Sequence, residues 1–211
     1  RTKSNKFVTM SIGSQVTSEA RYLDADTPLG EFKIFEPRRQ DVEYHVDHHG
    51  DKFFVMTNDG AKNFKLMETP ITATGRENWK EVIAGSNDVM LEDMEIFRDH
   101  LVISKRVNAL TQLEIRNLAT GDTHEITFPE PVFVVRVGAN PEFNSSTLRF
   151  SFMSLVTPSS IFDYDMNSRE RKLMKQQEVV GGHDPSQYQQ ERIFAKAPDG
   201  KMIPVSLVYK K

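Results

Sequence analysis

Four strand-like segments recur along this chain at a nearly constant interval: FVTMSI from Phe7, FFVMTN from Phe53, LVISKR from Leu101 and TLRFSFMS from Thr147. Their first residues lie 46, 48 and 46 positions apart. A second set keeps the same order: EFKIF from Glu31, NWKEVI from Asn78, DTHEIT from Asp122 and RERKLM from Arg169, each a polar, outward-looking strand after a turn. Repeats of about 40 to 50 residues, each with room for four short strands, are the mark of β-propeller blades. One four-stranded blade is too small to cover both of its faces, so neighbouring blades stack radially and bury them against one another. The expected fold class is therefore all-β: a partial β-propeller of about four four-stranded antiparallel blades over residues 1–178. The blades are placed at about 1–40, 41–85, 88–128 and 130–178, the first lacking an inner strand. The other inner strands are expected at Val42–His48, Met90–Ile96 and Val132–Gly138. A β-sandwich gives turn signals at similar spacing and is the alternative, but it does not account for the repeat.

No segment carries a capped helical stripe. Met90, Met94 and Phe97 do sit at helical spacing, yet the alternation of Glu92, Met94 and Ile96 fits a strand, and an isolated short helix is marginal in water. Composition narrows the function. With 27 basic against 30 acidic side chains and a net charge of -3, the chain offers no basic stripe for a phosphate backbone, so nucleic acid is not an expected partner. The absence of cysteine excludes disulfides, zinc ribbons and a thiol nucleophile. It also fits a reducing compartment, so the cytoplasm is the expected location, with the periplasm as the alternative. The longest purely aliphatic and aromatic run is Val132–Val135, so neither a signal peptide nor a membrane span is expected. No glycine-rich phosphate loop precedes a helix and no calcium loop is present, so no cofactor is expected.

After Gln177 the character changes. The stretch EVVGGHDPSQYQQ, with Gly181, Gly182 and Pro185, reads as a connector over 179–189. ERIFAKA, the turn Pro198-Asp199-Gly200 and MIPVSLVY then form a hairpin over 190–211. Pro204 removes one donor from the second arm, which is expected to be an edge or to bulge there.

Three successive segments resemble one family: LRFSFMSLVTPSSIFDYDM (Leu148–Met166), RERKLMKQQEV (Arg169–Val179) and the terminal hairpin. Together they resemble the point in the oligopeptidase B (protease II) branch of the prolyl oligopeptidase family where a propeller hands over to an α/β-hydrolase domain. The RERKLMKQQEV run after YDM is the most specific part. The resemblance implies a longer parent, a serine peptidase that cleaves short peptides after Lys or Arg. In it the propeller would filter substrates and the hairpin at 190–211 would open the catalytic domain, which would be this region's partner in the same chain. No catalytic residue is carried over, because the chain contains no Gly-x-Ser-x-Gly elbow, and the Asp and His of such enzymes follow that elbow. The chain itself is expected to be inactive. An open stack would also leave two blade faces uncovered, so self-association is expected. A freestanding propeller-like scaffold that binds a protein or peptide partner is the competing function, against which the terminal hairpin speaks.

Candidate site residues follow from strand alternation. Glu43, His45, Asp47, Glu92, Met94 and Arg136 are candidates to line a central channel, where a mostly acidic surface would concentrate basic peptides. Arg169 and Arg171 are candidates for bidentate contacts to the catalytic domain. His45, Asp47 and His49 share a strand face and could in principle hold a metal, but the expectation is an inner strand that runs into a turn, with no metal. His183, Asp184 and Ser186 lie too close together in a Gly-Pro connector to act as a triad. Trp79, the only tryptophan, is expected to pack between blades.

Overall fold

The computed structural model describes residues 1–211. Five antiparallel sheets follow one another along the chain. The first has three strands, β1 (Phe7–Gly13), β2 (Ser18–Asp24) and β3 (Lys33–Ile34). The second, third and fourth each have four strands in sequential order. They comprise β4–β7 (Tyr44–His49, Lys52–Thr57, Lys65–Pro70, Lys80–Ile83), β8–β11 (Val89–Ile96, His100–Val107, Leu110–Asn117, Thr123–Glu125) and β12–β15 (Phe133–Val137, Thr147–Ser154, Ser160–Asp165, Arg171–Gln176). The fifth is a hairpin of β16 (Tyr188–Lys196) and β17 (Met202–Lys210). Strands β1, β5, β9 and β13 carry the four repeated segments; β5, β9 and β13 are each the second strand of their sheets, and β1 is the first of the three-stranded sheet, which lacks an inner strand. The fold is all-β, a partial propeller, and no sheet closes into a ring.

The second strands show why the sheets must stack. In β5, Phe53 and Val55 point into a cluster with Phe7, Ala20 and Phe35 of the first sheet, while Phe54 and Met56 join Leu91, Met94 and Ile96 of the third. All four are at most 1% exposed. Strand β9 repeats this: Leu101 and Ile103 face the second sheet, and Val102 faces Val135, Leu148 and Phe150 of the fourth. A strand buried on both faces reads as an unbroken apolar run, as FFVM and LVI do here. β13 differs because only one face is covered: Leu148, Phe150 and Phe152 are buried while Arg149 and Met153 are exposed. Each fully buried side chain of this size contributes roughly 1.5–3 kcal/mol. The seams between sheets, rather than the sheets alone, therefore hold the stack together.

Polar ties run along the same seams. The Tyr44 hydroxyl donates to the Glu36 carbonyl at 2.6 Å and accepts from the Ala20 amide at 2.8 Å. The Thr74 hydroxyl donates to the Phe35 carbonyl at 2.8 Å. Trp79 sits at the rim of the cluster between the first two sheets, its ring 5.9 Å from that of Tyr44 and its indole N–H donating to the Thr74 carbonyl. Met90 to Ile96 is a strand, as the alternation predicts.

One local expectation is corrected, and another is met in the first of its two forms. Strand β16 begins at Tyr188, before the expected hairpin start at residue 190, because its polar residues pair in register with β17 out to Tyr188 opposite Lys210. Pro204 lies on an edge strand, as one of the two expected forms has it, and sits opposite Phe194 in an unbroken register without a bulge.

Candidate functional site

The first strands β4, β8 and β12 form one free edge of their sheets, and the ionisable residues gather there. Between the second and third sheets lies an open depression of about 670 Å³. Met56, Phe64 and Leu91 provide apolar lining, and Glu43, His45 and Glu92 supply its polar groups. His45 Nε2 lies 4.0 Å from Asp93 Oδ1 across the seam. Loss of hydration lowers the imidazole pKa there, and Asp93 acts in the opposite direction. Glu92 is held within its own sheet by Arg106 at 2.7 Å and by the Thr111 hydroxyl at 3.3 Å.

At the other end of these strands, Asp47 and Glu95 flank a single ammonium group. Lys3 Nζ lies 2.5 Å from Glu95 Oε1 and 3.3 Å from the centre of the Phe97 ring, and the Lys3 amide donates to Asp47 Oδ1 at 3.3 Å. Burial lowers the Lys3 pKa and raises that of Asp47, while Glu95 favours the charged lysine. The segment around Lys3 thus joins the first sheet to the second and third.

Several sequence-derived candidates fall elsewhere. Met94 does not line the open edge. A bulge between Leu91 and Asp93 shifts the alternation, so Met94 is 8% exposed in the core between the second and third sheets. The displaced positions Asp93 and Glu95 take the open side, and alternation alone could not find them because it assumes an unbroken register. Arg136 is exposed on the face of β12 opposite buried Val135. Arg171 lies 5.2 Å from the Phe128 ring and 5.4 Å from the Phe162 ring and donates to the Thr127 carbonyl, a tie between the third and fourth repeats. Arg169 closes the turn after β14 with φ of 66° and remains exposed.

The three residues weighed as metal ligands do not converge. His45 faces Asp93, Asp47 accepts backbone N–H groups from Lys3 and His48, and His49 Nε2 bonds the Arg98 carbonyl at 2.7 Å. In the connector, Asp184 caps the short turn Pro185–Gln187 by accepting from the Ser186 amide and hydroxyl, while His183 bonds the Val156 carbonyl. That arrangement orients no base toward Ser186. A Ser–His pair does exist, Ser4 Oγ to His48 Nδ1 at 2.7 Å. The other ring nitrogen of His48 is buried without a partner, so no carboxylate orients the imidazole as a triad requires. The site can therefore attract cations and tie strands together, but its geometry supplies no activated nucleophile.

Comparison with known proteins accords with this division of labour. Residues 1–177 match the family described as prolyl oligopeptidase, N-terminal beta-propeller domain. The chain is 40% identical over its full length to dipeptidyl aminopeptidase BI of Pseudoxanthomonas mexicana, of which it covers 29%. It is 30% identical to protease 2 of Moraxella lacunata, with 99% of the chain covering 30% of that protein. Oligopeptidase B from Trypanosoma brucei, in a closed form with covalently bound antipain, superposes with a TM-score of 0.90 at 32% identity, covering all of this chain and 31% of that one. The chain therefore spans under a third of the length of these relatives, and through its N-terminal β-propeller domain it belongs to the prolyl oligopeptidase family.

Proposed function

We propose that this chain is the substrate-filtering propeller portion of a cytoplasmic serine oligopeptidase that hydrolyses short peptides after Lys or Arg. The observation that supports the reading is the superposition of the whole of this chain on 31% of oligopeptidase B. In this reading the hairpin β16–β17, which follows the propeller, is the first piece of a catalytic α/β-hydrolase domain. The carboxylates of Glu43 and Asp93 on the open edge suit basic peptides electrostatically, whereas Asp47 and Glu95 are already compensated by Lys3. The chain supplies gating, and the hydrolytic residues belong to the catalytic domain. A second reading rests on the 40% identity to a dipeptidyl aminopeptidase: removal of dipeptides from free N-termini.

One assay separates these. The 211-residue chain should neither react with a fluorophosphonate nor hydrolyse an N-blocked Arg-Arg-aminomethylcoumarin. The longer polypeptide that carries it should do both. Activity only on peptides with a free N-terminus would favour the dipeptidyl reading, and hydrolysis by the chain alone would overturn both.

The 211-residue chain should also self-associate. Met10 and Ile34 on the first sheet and Val134, Met153 and Ile161 on the fourth are exposed apolar groups at the two ends of the stack. Light scattering should show mass rising with concentration in the micromolar range; a constant monomer mass would exclude this.

A further inference from the structure

All six histidines of the chain lie where one sheet meets another or meets the connector. His48 packs against Phe7 of the first sheet and bonds Ser4. His45 faces Asp93, and His49 bonds the Arg98 carbonyl, both in the third repeat. His124 bonds the Tyr164 hydroxyl of the fourth sheet at 2.9 Å, and His183 ties the connector to Val156. His100 is 1% exposed between the third and fourth repeats.

Two of these rings are enclosed. His48 is 4% exposed and carries one buried ring nitrogen without a partner, and His100 does the same through Nδ1. The surroundings of His48 include Ser4 and Lys6 from the N-terminal turn, Phe7 from β1, Phe53 from β5, and its own turn residues His49 and Asp51. His100 is approached by Asp99 of its own turn, by Asp165 and Asn167 from the fourth repeat and by His124 of β11, which in turn lies near Arg169.

We propose that the stack is proton-responsive: protonation of His48 and His100 raises the frequency with which the first and second sheets, and the third and fourth, part from one another while the sheets themselves persist. The physical reason is burial. Enclosure lowers the pKa of both imidazoles, as it does for His45 and His124. A parted seam rehydrates the ring and restores an ordinary value of about 6.5, so the parted state binds more protons. The stabilisation of the closed seam is complete above about pH 6.5 and declines as pH falls from there toward the lower closed-state values. Each unit of difference multiplies the parting equilibrium of that ring's own seam by up to about tenfold, so each ring acts on the frequency of parting rather than as a cause of unfolding.

Hydrogen exchange followed by mass spectrometry on the full chain tests this, with rates corrected for intrinsic chemistry. Between pH 7 and 5.5, protection of the amides that cross the seams, Ser18 to the Val42 carbonyl and Ala20 to the Tyr44 hydroxyl at one and Arg98 to the Phe143 carbonyl at the other, should fall severalfold, with far-UV circular dichroism unchanged. His48→Gln and His100→Gln together should flatten that dependence. If the double variant does not fold, the exchange rates of the imidazole C2 protons in the natural chain report each pKa directly. Values at or above about 6.5 for both rings would overturn the proposal. So would a pH dependence unaltered in the double variant, or seam protection lost only together with the far-UV signal.

Discussion

Replacing Phe53 with alanine should remove about 3–5 kcal/mol of unfolding free energy. Its ring has no exposed surface and stands at the meeting point of the first two sheets. Phe7, Tyr22 and Phe35 of the first repeat approach it at centroid distances of 5.0, 5.5 and 5.2 Å, and His48 beside it at 5.4 Å. Truncation removes the ring's burial and leaves a cavity whose walls belong to two hydrogen-bonded sheets, which cannot collapse freely. The contacts to three further aromatic rings add to that loss. Phe194 provides the comparison: it is 48% exposed in the terminal hairpin, and its alanine variant should cost less than about 1 kcal/mol. Urea unfolding with a shifted midpoint and an unchanged slope is the expected signature. A Phe53→Ala loss below about 1 kcal/mol would mean that the first two sheets are not packed as described.

Phe53 also shows why the fold was legible in the sequence. A strand covered on both faces has no alternation to conceal it, so FFVM at 53 and LVI at 101 stand out as apolar runs, and their spacing sets the repeat. The polar last strands mark the second landmark because they are edge strands with mostly exposed or half-buried residues. Details of the open edge were harder to read. The bulge at Glu92 is a backbone irregularity with no sequence mark of its own, and it exchanged Met94 for Asp93 and Glu95 on the open side. Arg171 offered only a charge in a charged run. The partners that hold it, Phe128 and Phe162, lie 43 and 9 positions away, and only one of them is in the same sheet. Lys3 was invisible for a related reason: its carboxylate partner is Glu95, 92 positions along the chain. Burial across a seam is a property of the stack, whereas strand periodicity is local.

Lys3→Met is the other substitution with a large expected effect. The side chains of Lys3 and Glu95 are 9% and 26% exposed, and the Lys3 amide also reaches Asp47. Methionine keeps the length and apolar stem of lysine but removes the charge, so two poorly hydrated carboxylates are left beside the Phe97 ring without a cation. Breaking a largely buried pair from one side costs about 3–5 kcal/mol, and the partial exposure of Glu95 places this case at or below the lower end. Removing the charge of Glu95 as well should be milder: Lys3→Met with Glu95→Gln should recover about half of the loss, because only Asp47 of the two carboxylates then remains without a cation. The pH dependence follows from Asp47. Its pKa is raised in the folded chain by burial first and by the charge of Glu95 as well. A carboxyl group with a raised folded-state value favours the folded chain at low pH, and that contribution is lost as pH rises through it. Without the lysine the effect grows, so the gap between Lys3→Met and the natural chain should narrow as pH falls from 7 toward 4. Matched urea titrations at the two pH values measure it. A gap that is constant with pH, or a double variant whose loss equals the sum of the single losses, would show that Lys3 contributes through its packing alone.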